Sequence, residues 1–168
     1  MVYFISDTHF NHKNIIKYCN RPYKSVEEMN KVLIENWNRV VRDGDVIYHL
    51  GDFALYDEEE LFNKLNGNII LIRGNHDRKS ASYYEKIGFK VLKNAPIMLD
   101  DYKLILSHKP IIDNKIPEGY INIHGHIHDK SINDGYPKEE YSLNMHFNVS
   151  VEVINYKPIS IEEIVSKL

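Results

Sequence analysis

Hydrophobic and polar positions alternate along the first half of the chain in blocks that predict strand, helix and strand in turn. Val2–Ser6 is a β-rich apolar run. Ser25–Arg42 spaces its apolar side chains three and four positions apart, which predicts an amphipathic helix, and Asp43-Gly44 supplies the turn that follows. Val46–Leu50 and Ile69–Arg73 predict two more strands, and the second is apolar on both faces, as in a covered sheet.

Shorter helices and a change of pattern follow. Asp57 is predicted to cap a helix that runs through Leu65 and stops at Asn66-Gly67, and Tyr83–Ile87 is predicted to be a short helix ended by Gly88. Ser160 and Glu163 form the signature of a capping box, which predicts a final helix to Leu168. The second half is otherwise predicted to be rich in strands, with a hairpin turn at 100–102, over Lys90–Lys93, Ile97–Leu99, Lys103–Ser107, Tyr120–Ile123 and Phe147–Ile154.

These elements predict an α/β (α+β) fold in which a two-sheet β-sandwich is flanked by helices, because the first half is βαβ-like and the second half is β-rich. The chain has 168 residues, a length that predicts a single domain spanning 1–168. With 43% hydrophobic residues and a net charge of -3, it is expected to fold rather than to remain disordered. The same charge gives no strong attraction to nucleic acid.

Two further expectations concern location. No apolar run approaches the ~20 residues that a membrane span needs, so no membrane partner is expected. Cys19 stands alone, which excludes an internal disulfide and favours a reducing, cytoplasmic compartment. The sequence leaves the oligomeric state open.

Polar residues follow five of the apolar runs at the point where each run ends. In open α/β sheets, ligands bind beyond the carboxyl ends of the strands, so these clusters are expected to meet at one rim. The clusters are Asp7-Thr8-His9, Gly51-Asp52, Gly74-Asn75-His76-Asp77, Ser107-His108 and His124-Gly125-His126-Ile127-His128.

The chemistry of these clusters predicts metal binding. Asp7 and His9 are two positions apart, as are His126 and His128, so on an extended segment each pair can grip one ion. Imidazole, carboxylate and amide oxygen together favour first-row transition metals. There are too many candidate ligands for one tetrahedral zinc, and Asp52 is the natural bridge between two ions. Any single histidine or turn aspartate has an ordinary structural explanation, but five clusters at five strand ends do not.

The motifs Asp-x-His, Gly-Asp, Gly-Asn-His-Asp, a lone His and Gly-His-x-His occur in order from Asp7 to His128. This pattern resembles the calcineurin-like metallophosphoesterase superfamily, and the short chain resembles its small bacterial, archaeal and phage members. The resemblance implies a β-sandwich flanked by helices and two divalent ions, with manganese favoured over iron, zinc or nickel. It places one ion on Asp7, His9, Asp52 and His128, and the other on Asp52, Asn75, His108 and His126.

The resemblance also implies a reaction. Water activated between the two ions as hydroxide would attack the phosphorus of a phosphate ester in line, and His76 would be the catalytic histidine near the leaving group. Many members carry a second aspartate three residues after the bridging one, which orients that histidine. Leu55 occupies this position here, so Asp77 or Asp57 is a candidate substitute.

The substrate is expected to be a small phosphate ester, either a monoester or a diester, with a nucleotide among the candidates. Arg21 is the leading candidate for contacting its phosphate, with His12 and Asn11 beside it, because arginine pairs with phosphate through two N–H groups. The alternative function is a non-catalytic scaffold of the same fold used for protein interaction. Retention of every metal motif and of His76 favours the enzyme.

Overall fold

The computed structural model describes residues 1–93 and 96–168, and within them it places nine strands in two sheets flanked by helices. The fold class predicted from the sequence is thereby confirmed. In chain order the elements are β1 (Val2–Ile5), α1 (Ile15–Tyr18), α2 (Val26–Val40), β2 (Val46–His49), α3 (Glu58–Phe62), β3 (Asn68–Leu71), α4 (Ala81–Ile87), β4 (Lys90–Val91), β5 (Ile97–Leu99), β6 (Leu104–Leu106), β7 (Ile121–His124), β8 (His146–Asn148), β9 (Ile159–Ser160) and α5 (Ile161–Val165).

The first sheet has the order β4-β3-β2-β1-β9 and is parallel except for β9. Ile5 pairs with His49, and His49 pairs with Leu71, so β1, β2 and β3 end in step. Phe4 and Ile47 are fully buried within these strands. Because the three strands stop at the same level, the polar residues that follow them emerge along one edge of the sheet.

The second sheet has the order β5-β6-β7-β8, with β6, β7 and β8 parallel and β5 antiparallel to β6. The two sheets are joined by a short parallel bridge between Ser6 and Ser150. Ser6 donates its amide to the Val149 carbonyl at 2.9 Å and accepts from the Val151 amide at 3.1 Å. This bridge brings the end of β1 beside the ends of β7 and β8.

Helix α2 covers the first sheet. Ser25 caps it by accepting a hydrogen bond from the Glu28 amide at 3.1 Å, and its buried residues are Met29, Leu33 and Trp37. The Trp37 indole also donates to the Asn66 carbonyl at 3.0 Å, which satisfies the ring N–H inside the core. The amphipathic helix predicted over Ser25–Arg42 is therefore confirmed, with slightly tighter bounds.

Several local predictions need correction. Phe147–Ile154 is not one strand: β8 ends at Asn148, and a 3₁₀ turn over Val151–Val153 follows, closed by a bond from the Val153 amide to the Ser150 carbonyl. Asp57 precedes α3 but does not cap it, because its backbone is left-handed with φ 58° and its side chain makes no capping bond. The two-residue strand β9 and the single-turn helix α1 were not predicted.

The C-terminal capping box is present as predicted. Ser160 accepts from the Glu163 amide at 3.1 Å, and Glu163 accepts from the Ser160 amide at 3.1 Å. Within residues 1–93 and 96–168, none of the helices combines the length and the apolar character that a membrane crossing requires.

Candidate metal centre

The first ligand group lies after β1 and beside the loop that follows β7. Asp7, His9 and His128 each offer an atom within 4.8 Å of the other two. His9 Nε2 lies 3.9 Å from Asp7 Oδ1, and His128 Nε2 lies 4.0 Å from the same oxygen. Asp7 Oδ1 and His9 Nε2 are buried and lack a hydrogen-bond partner among the described residues. Buried polar atoms left without partners are uncommon, and a bound cation would satisfy both.

The second ligand group joins the ends of β2, β6 and β7. Asp52, His108 and His126 also offer ligand atoms within 4.8 Å of one another. His108 places Nδ1 2.8 Å from the Leu50 carbonyl, so Nδ1 donates there and Nε2 is directed toward the other ligand atoms. Around Nε2 lie Asn75 Oδ1 at 2.9 Å, His126 Nδ1 at 3.2 Å and Asp52 Oδ2 at 3.5 Å. A cation fits such a cluster of acceptors.

Asp52 lies between the two groups. Its Oδ2 is 3.6 Å from His9 Nε2 and 3.5 Å from His108 Nε2. Its other oxygen accepts the His76 backbone N–H at 2.8 Å, which fixes the orientation of the carboxylate. One oxygen is therefore directed toward nitrogen atoms of both groups.

The backbone at this edge is held in an uncommon conformation. Asp7, His9, Asp52, His126 and His128 all have positive φ, between 46° and 72°. Such residues persist only where the surrounding structure enforces them, and they cluster at functional sites. The enforcing contacts include bonds from the Asp7 amide to the Gly51 carbonyl at 2.9 Å and from the His9 amide to the Asp52 carbonyl at 3.0 Å.

Two glycines allow the loops to pack this closely. Gly51 has φ 102°, and a Cβ added there would come within 2.5 Å of the Gly74 amide nitrogen. A Cβ on Gly74 would in turn collide with the Asp52 carboxylate. A larger residue at Gly74 would displace the carboxylate that faces both groups, and one at Gly51 would displace the Gly74 backbone or the His108 ring.

Burial and neighbouring charge set the protonation of the site. Burial lowers the pKa of His9 to about 2 and, together with His108, the pKa of His126 to about 4, so both imidazoles are neutral at pH 7. Burial works to raise the pKa of Asp7, but the surrounding imidazoles outweigh it and hold the pKa at about 2. Burial raises the pKa of Asp52, while His108 opposes this shift. Neutral imidazoles and an ionised Asp7 are the forms that bind metal. His128 differs: burial works to lower its pKa, but hydrogen bonds with Cys19 and Glu152 outweigh burial and raise the pKa to about 10, so an ion would displace a proton from this imidazole.

His76 and His12 stand at the open side of this edge. The ring of His76 is exposed, with its centroid 5.3 Å from the His9 ring and 6.3 Å from the His12 ring. The carboxylate of Asp77 cannot orient His76, because it accepts the backbone N–H groups of Asp52, Phe53 and Gly74 at 2.7 to 3.0 Å. Across the described ranges, no hydrogen bond joins the His76 ring to Asp57 either.

Arg21, the predicted phosphate contact, lies beneath the ligand loops in this structure. Its guanidinium is fully buried and donates to the Asp7 carbonyl at 2.7 Å, to the Thr8 carbonyl at 2.8 Å and to the Glu152 carboxylate. It therefore braces the loop that carries Asp7 from below. The Asn11 side chain is also held by the protein, because its amide donates to the Tyr56 carbonyl and accepts from the Asn30 side chain. Of the three predicted substrate contacts, His12 alone faces the ligand groups.

Two supporting histidines lie behind the loops. His49 is fully buried, with Nε2 3.0 Å from the Thr8 hydroxyl and Nδ1 3.2 Å from the Gly51 amide. It is a core histidine that supports both the loop carrying Asp7 and the loop carrying Asp52. His124 lies behind the loop that carries His126 and His128, with its Nδ1 2.9 Å from the Gly125 carbonyl.

Glu152 is a functional candidate that the sequence reasoning missed. It is nearly fully buried and lies 3.0 Å from His128 Nδ1. The only available signal was an acidic residue inside the apolar run Val149–Val153. Asn148 also lies beside this loop, because its side-chain amide donates to the His128 carbonyl at 2.6 Å.

Two sheets that carry aspartate and histidine groups across their carboxyl ends define a metallophosphoesterase-type site. The family model for Calcineurin-like phosphoesterase matches residues 1–161, and the chain belongs to that family. Membership in this family indicates metal-dependent hydrolysis of phosphate esters, and the family typically uses divalent metals.

Similar proteins come from several sources. The chain is 49% identical over 170 residues to uncharacterized protein MJ1445 of Methanocaldococcus jannaschii, covering 98% of this chain and 89% of that protein. It is 28% identical over 163 residues to the Gene 66 protein of Mycobacterium phage L5, covering 77% of this chain and 78% of the phage protein.

Solved structures share the fold. The structure of a protein of unknown function, AQ665 from Aquifex aeolicus, superposes with a TM-score of 0.73 at 29% identity, covering 100% of this chain and 99% of that one. The nuclease MPE of Pseudomonas putida superposes with a TM-score of 0.50 at 18% identity, covering 76% of this chain and 61% of that one. The second likeness concerns the fold alone.

Proposed function

We propose that the protein hydrolyses a phosphate ester with two divalent transition-metal ions bound at this edge. One ion would be held by Asp7, His9, Asp52 and His128, and the other by Asp52, Asn75, His108 and His126. The observation that carries the proposal is the position of Asp52 Oδ2, 3.6 Å from a nitrogen of the first group and 3.5 Å from one of the second. The mixed imidazole, carboxylate and amide donor set favours manganese, iron, zinc or nickel, of which we favour manganese.

Two bound divalent ions supply the Lewis-acid charge that offsets the negative ester and lowers the pKa of water. The protein itself positions the carboxylates that would hold these ions. Asp7 and Asp52 are fixed by backbone N–H groups, Asp7 Oδ2 by the His126 amide at 2.8 Å and Asp52 Oδ1 by the His76 amide at 2.8 Å. His76 is exposed beside them, where it would give a proton to the departing oxygen, and His12 would contact the substrate.

The substrate proposed is a small phosphate ester, either a monoester or a diester, with nucleotides among the candidates. An open cavity of about 400 Å³ lies beside His76 and is lined by Leu55, Arg78 and Lys79 among others. Leu55 suits a leaving group with a hydrophobic part, and the two cations outnumber the one carboxylate of the lining, Glu58, which favours a negatively charged leaving group. A cytoplasmic location stays a prediction that rests on the single cysteine.

Hydrolysis of mono-aryl and bis-aryl phosphates, with nucleotides as further substrates, tests the proposal. Turnover is expected with added Mn²⁺ and is expected to vanish with excess chelator. Asp52→Asn should abolish it, whereas Asp101→Asn, which changes an exposed aspartate, should not. A protein that binds two ions but hydrolyses none of these esters would favour the scaffold alternative.

A further inference from the structure

The buried carboxylate of Glu152 binds two residues that serve different loops. Its Oε1 accepts from His128 Nδ1 at 3.0 Å and from Arg21 at 2.9 Å (Nε) and 2.7 Å (Nη2). The Glu152 side chain is only 3% exposed and that of Arg21 is 0% exposed. A buried carboxylate placed this way is both neutralised and held rigid.

The contact with Glu152 decides which nitrogen of His128 is free. Because the carboxylate accepts at Nδ1, that nitrogen carries a proton, and Nε2, which lies 4.0 Å from Asp7 Oδ1, is the nitrogen left to face the proposed ion. A carboxylate behind a ligand histidine fixes its tautomer and ring orientation and strengthens it as a ligand.

Arg21 extends this support to the opposite loop. The guanidinium that pairs with Glu152 also donates to the carbonyls of Asp7 and Thr8, at 2.7 and 2.8 Å. This series of contacts, from His128 through Glu152 and Arg21 to the Asp7 carbonyl, therefore connects two candidate ligands that are 121 residues apart in the sequence.

We propose that Glu152 is a positioning residue for the first metal ion: it orients His128 Nε2 and, through Arg21, sets the spacing between the His128 loop and the Asp7 loop. This inference rests on the proposed function, since it assumes that Asp7 and His128 bind an ion. It also gives Arg21, which was expected to bind substrate, a role within the protein.

A competing explanation is a third metal site. Cys19, His128 and Glu152 also offer ligand atoms within 4.8 Å of one another, and Glu152 Oε2 has no partner in the described part of the chain. The guanidinium of Arg21, 2.7 Å from Glu152 Oε1, argues against it, because a second cation there would be repelled. The geometry therefore favours a hydrogen bond from the His128 Nδ1–H to the Glu152 carboxylate over a metal ion between these two side chains.

Titration of the metal-free protein with Mn²⁺, followed by calorimetry and by the electron spin resonance of free Mn²⁺, tests the proposal. Wild type is expected to bind two ions. Glu152→Gln is expected to weaken one of them by about 10- to 100-fold and leave the other unchanged. Glu139→Gln, at an exposed glutamate, serves as the control and is expected to bind like wild type.

A double-mutant cycle separates positioning from general destabilisation. Because Glu152 acts partly through His128, adding Glu152→Gln to His128→Gln is expected to cause a smaller loss of Mn²⁺ affinity than Glu152→Gln causes in wild type. If Glu152→Gln fails to fold by circular dichroism, Glu152→Asp, which keeps the charge but shortens the reach, takes its place in the cycle.

The outcomes distinguish the two proposals. Wild-type affinity for both ions in a folded Glu152 variant, or additive losses in the cycle, would overturn the positioning role and leave the proposed function intact. Fewer than two ions in the wild type would overturn the proposed function itself. Three ions, one of them lost in Cys19→Ser, would overturn the positioning role in favour of the third site.

Discussion

At the scale of single residues, the surrounding side chains and backbone atoms hold the Asp52 carboxylate in one position. The carboxylate accepts the His76 amide on one oxygen and faces His9 and His108 with the other. Gly74 lies against this carboxylate with no space for a side chain, and Gly51 in turn leaves no space for one against Gly74. Even one methyl group added at Gly74 should therefore disturb metal binding, because it would displace the Asp52 carboxylate.

Gly74→Ala tests this packing. The added methyl group collides with the Asp52 carboxylate, so we expect a loss of ~1–3 kcal/mol in unfolding free energy and a clear drop in Mn²⁺ affinity. Gly135→Ala is the matched control, because its Cβ would meet nothing within 4 Å. Urea unfolding and metal titration measure both effects, and equal behaviour of the two variants would refute the packing argument.

His76→Ala separates chemistry from metal binding. The His76 side chain is exposed and belongs to neither ligand group, so both ions should bind as in wild type. Loss of the proton donor should lower kcat by ~100- to 10,000-fold. Steady-state kinetics with metal analysis of the same sample checks this, and unchanged kcat would remove His76 from the reaction.

A pH effect on stability follows from His49. Burial lowers its folded-state pKa from 6.5 to about 3, so between these values the unfolded chain binds the extra proton. Stability from this group is therefore complete above pH 6.5 and is lost as pH falls, by at most about 1.4 kcal/mol per pH unit. In chelator, urea unfolding of wild type from pH 6.5 to 5 should show a steeper loss than His49→Gln, and identical slopes would contradict the assignment.

At the scale of elements, the sequence predicted those helices and caps that are determined by the local spacing of apolar and capping residues. The apolar spacing that predicted α2 is the spacing of its buried face, and Ser160 with Glu163 forms the predicted cap of α5. Elements that depend on distant partners were missed or misjudged. Strand β9 has only two residues and exists because it pairs with β1, and the turn at 151–153 follows from the bridge between Ser6 and Ser150.

Leu33→Ala tests how α2 is anchored. Leu33 is 2% exposed in the core beneath the helix, so its truncation should lower unfolding free energy by ~2–5 kcal/mol. Arg39→Ala, at an exposed position of the same helix, should stay within about 0.5 kcal/mol of wild type. Urea denaturation compares the two, and a small effect of Leu33→Ala would mean that α2 contributes little to the core.

At the scale of the whole molecule, the candidate ligands meet because two sheets end at one edge. The strand-end motifs were enough to single out the seven side chains that the structure brings together. What surrounds them could not be predicted from the sequence. Arg21 carries the charge expected of a phosphate contact, but its burial depends on Glu152, which lies 131 residues away along the chain. Spacing along the sequence contains no sign of that pairing.

The most direct measurement is the anomalous diffraction of crystals grown with Mn²⁺. We expect two manganese peaks, one on each side of Asp52 Oδ2. One should be surrounded by Asp7, His9 and His128, and the other by Asn75, His108 and His126. A single peak, peaks away from Asp52, or none at saturating Mn²⁺ would contradict the claim that this edge of the fold holds a pair of ions.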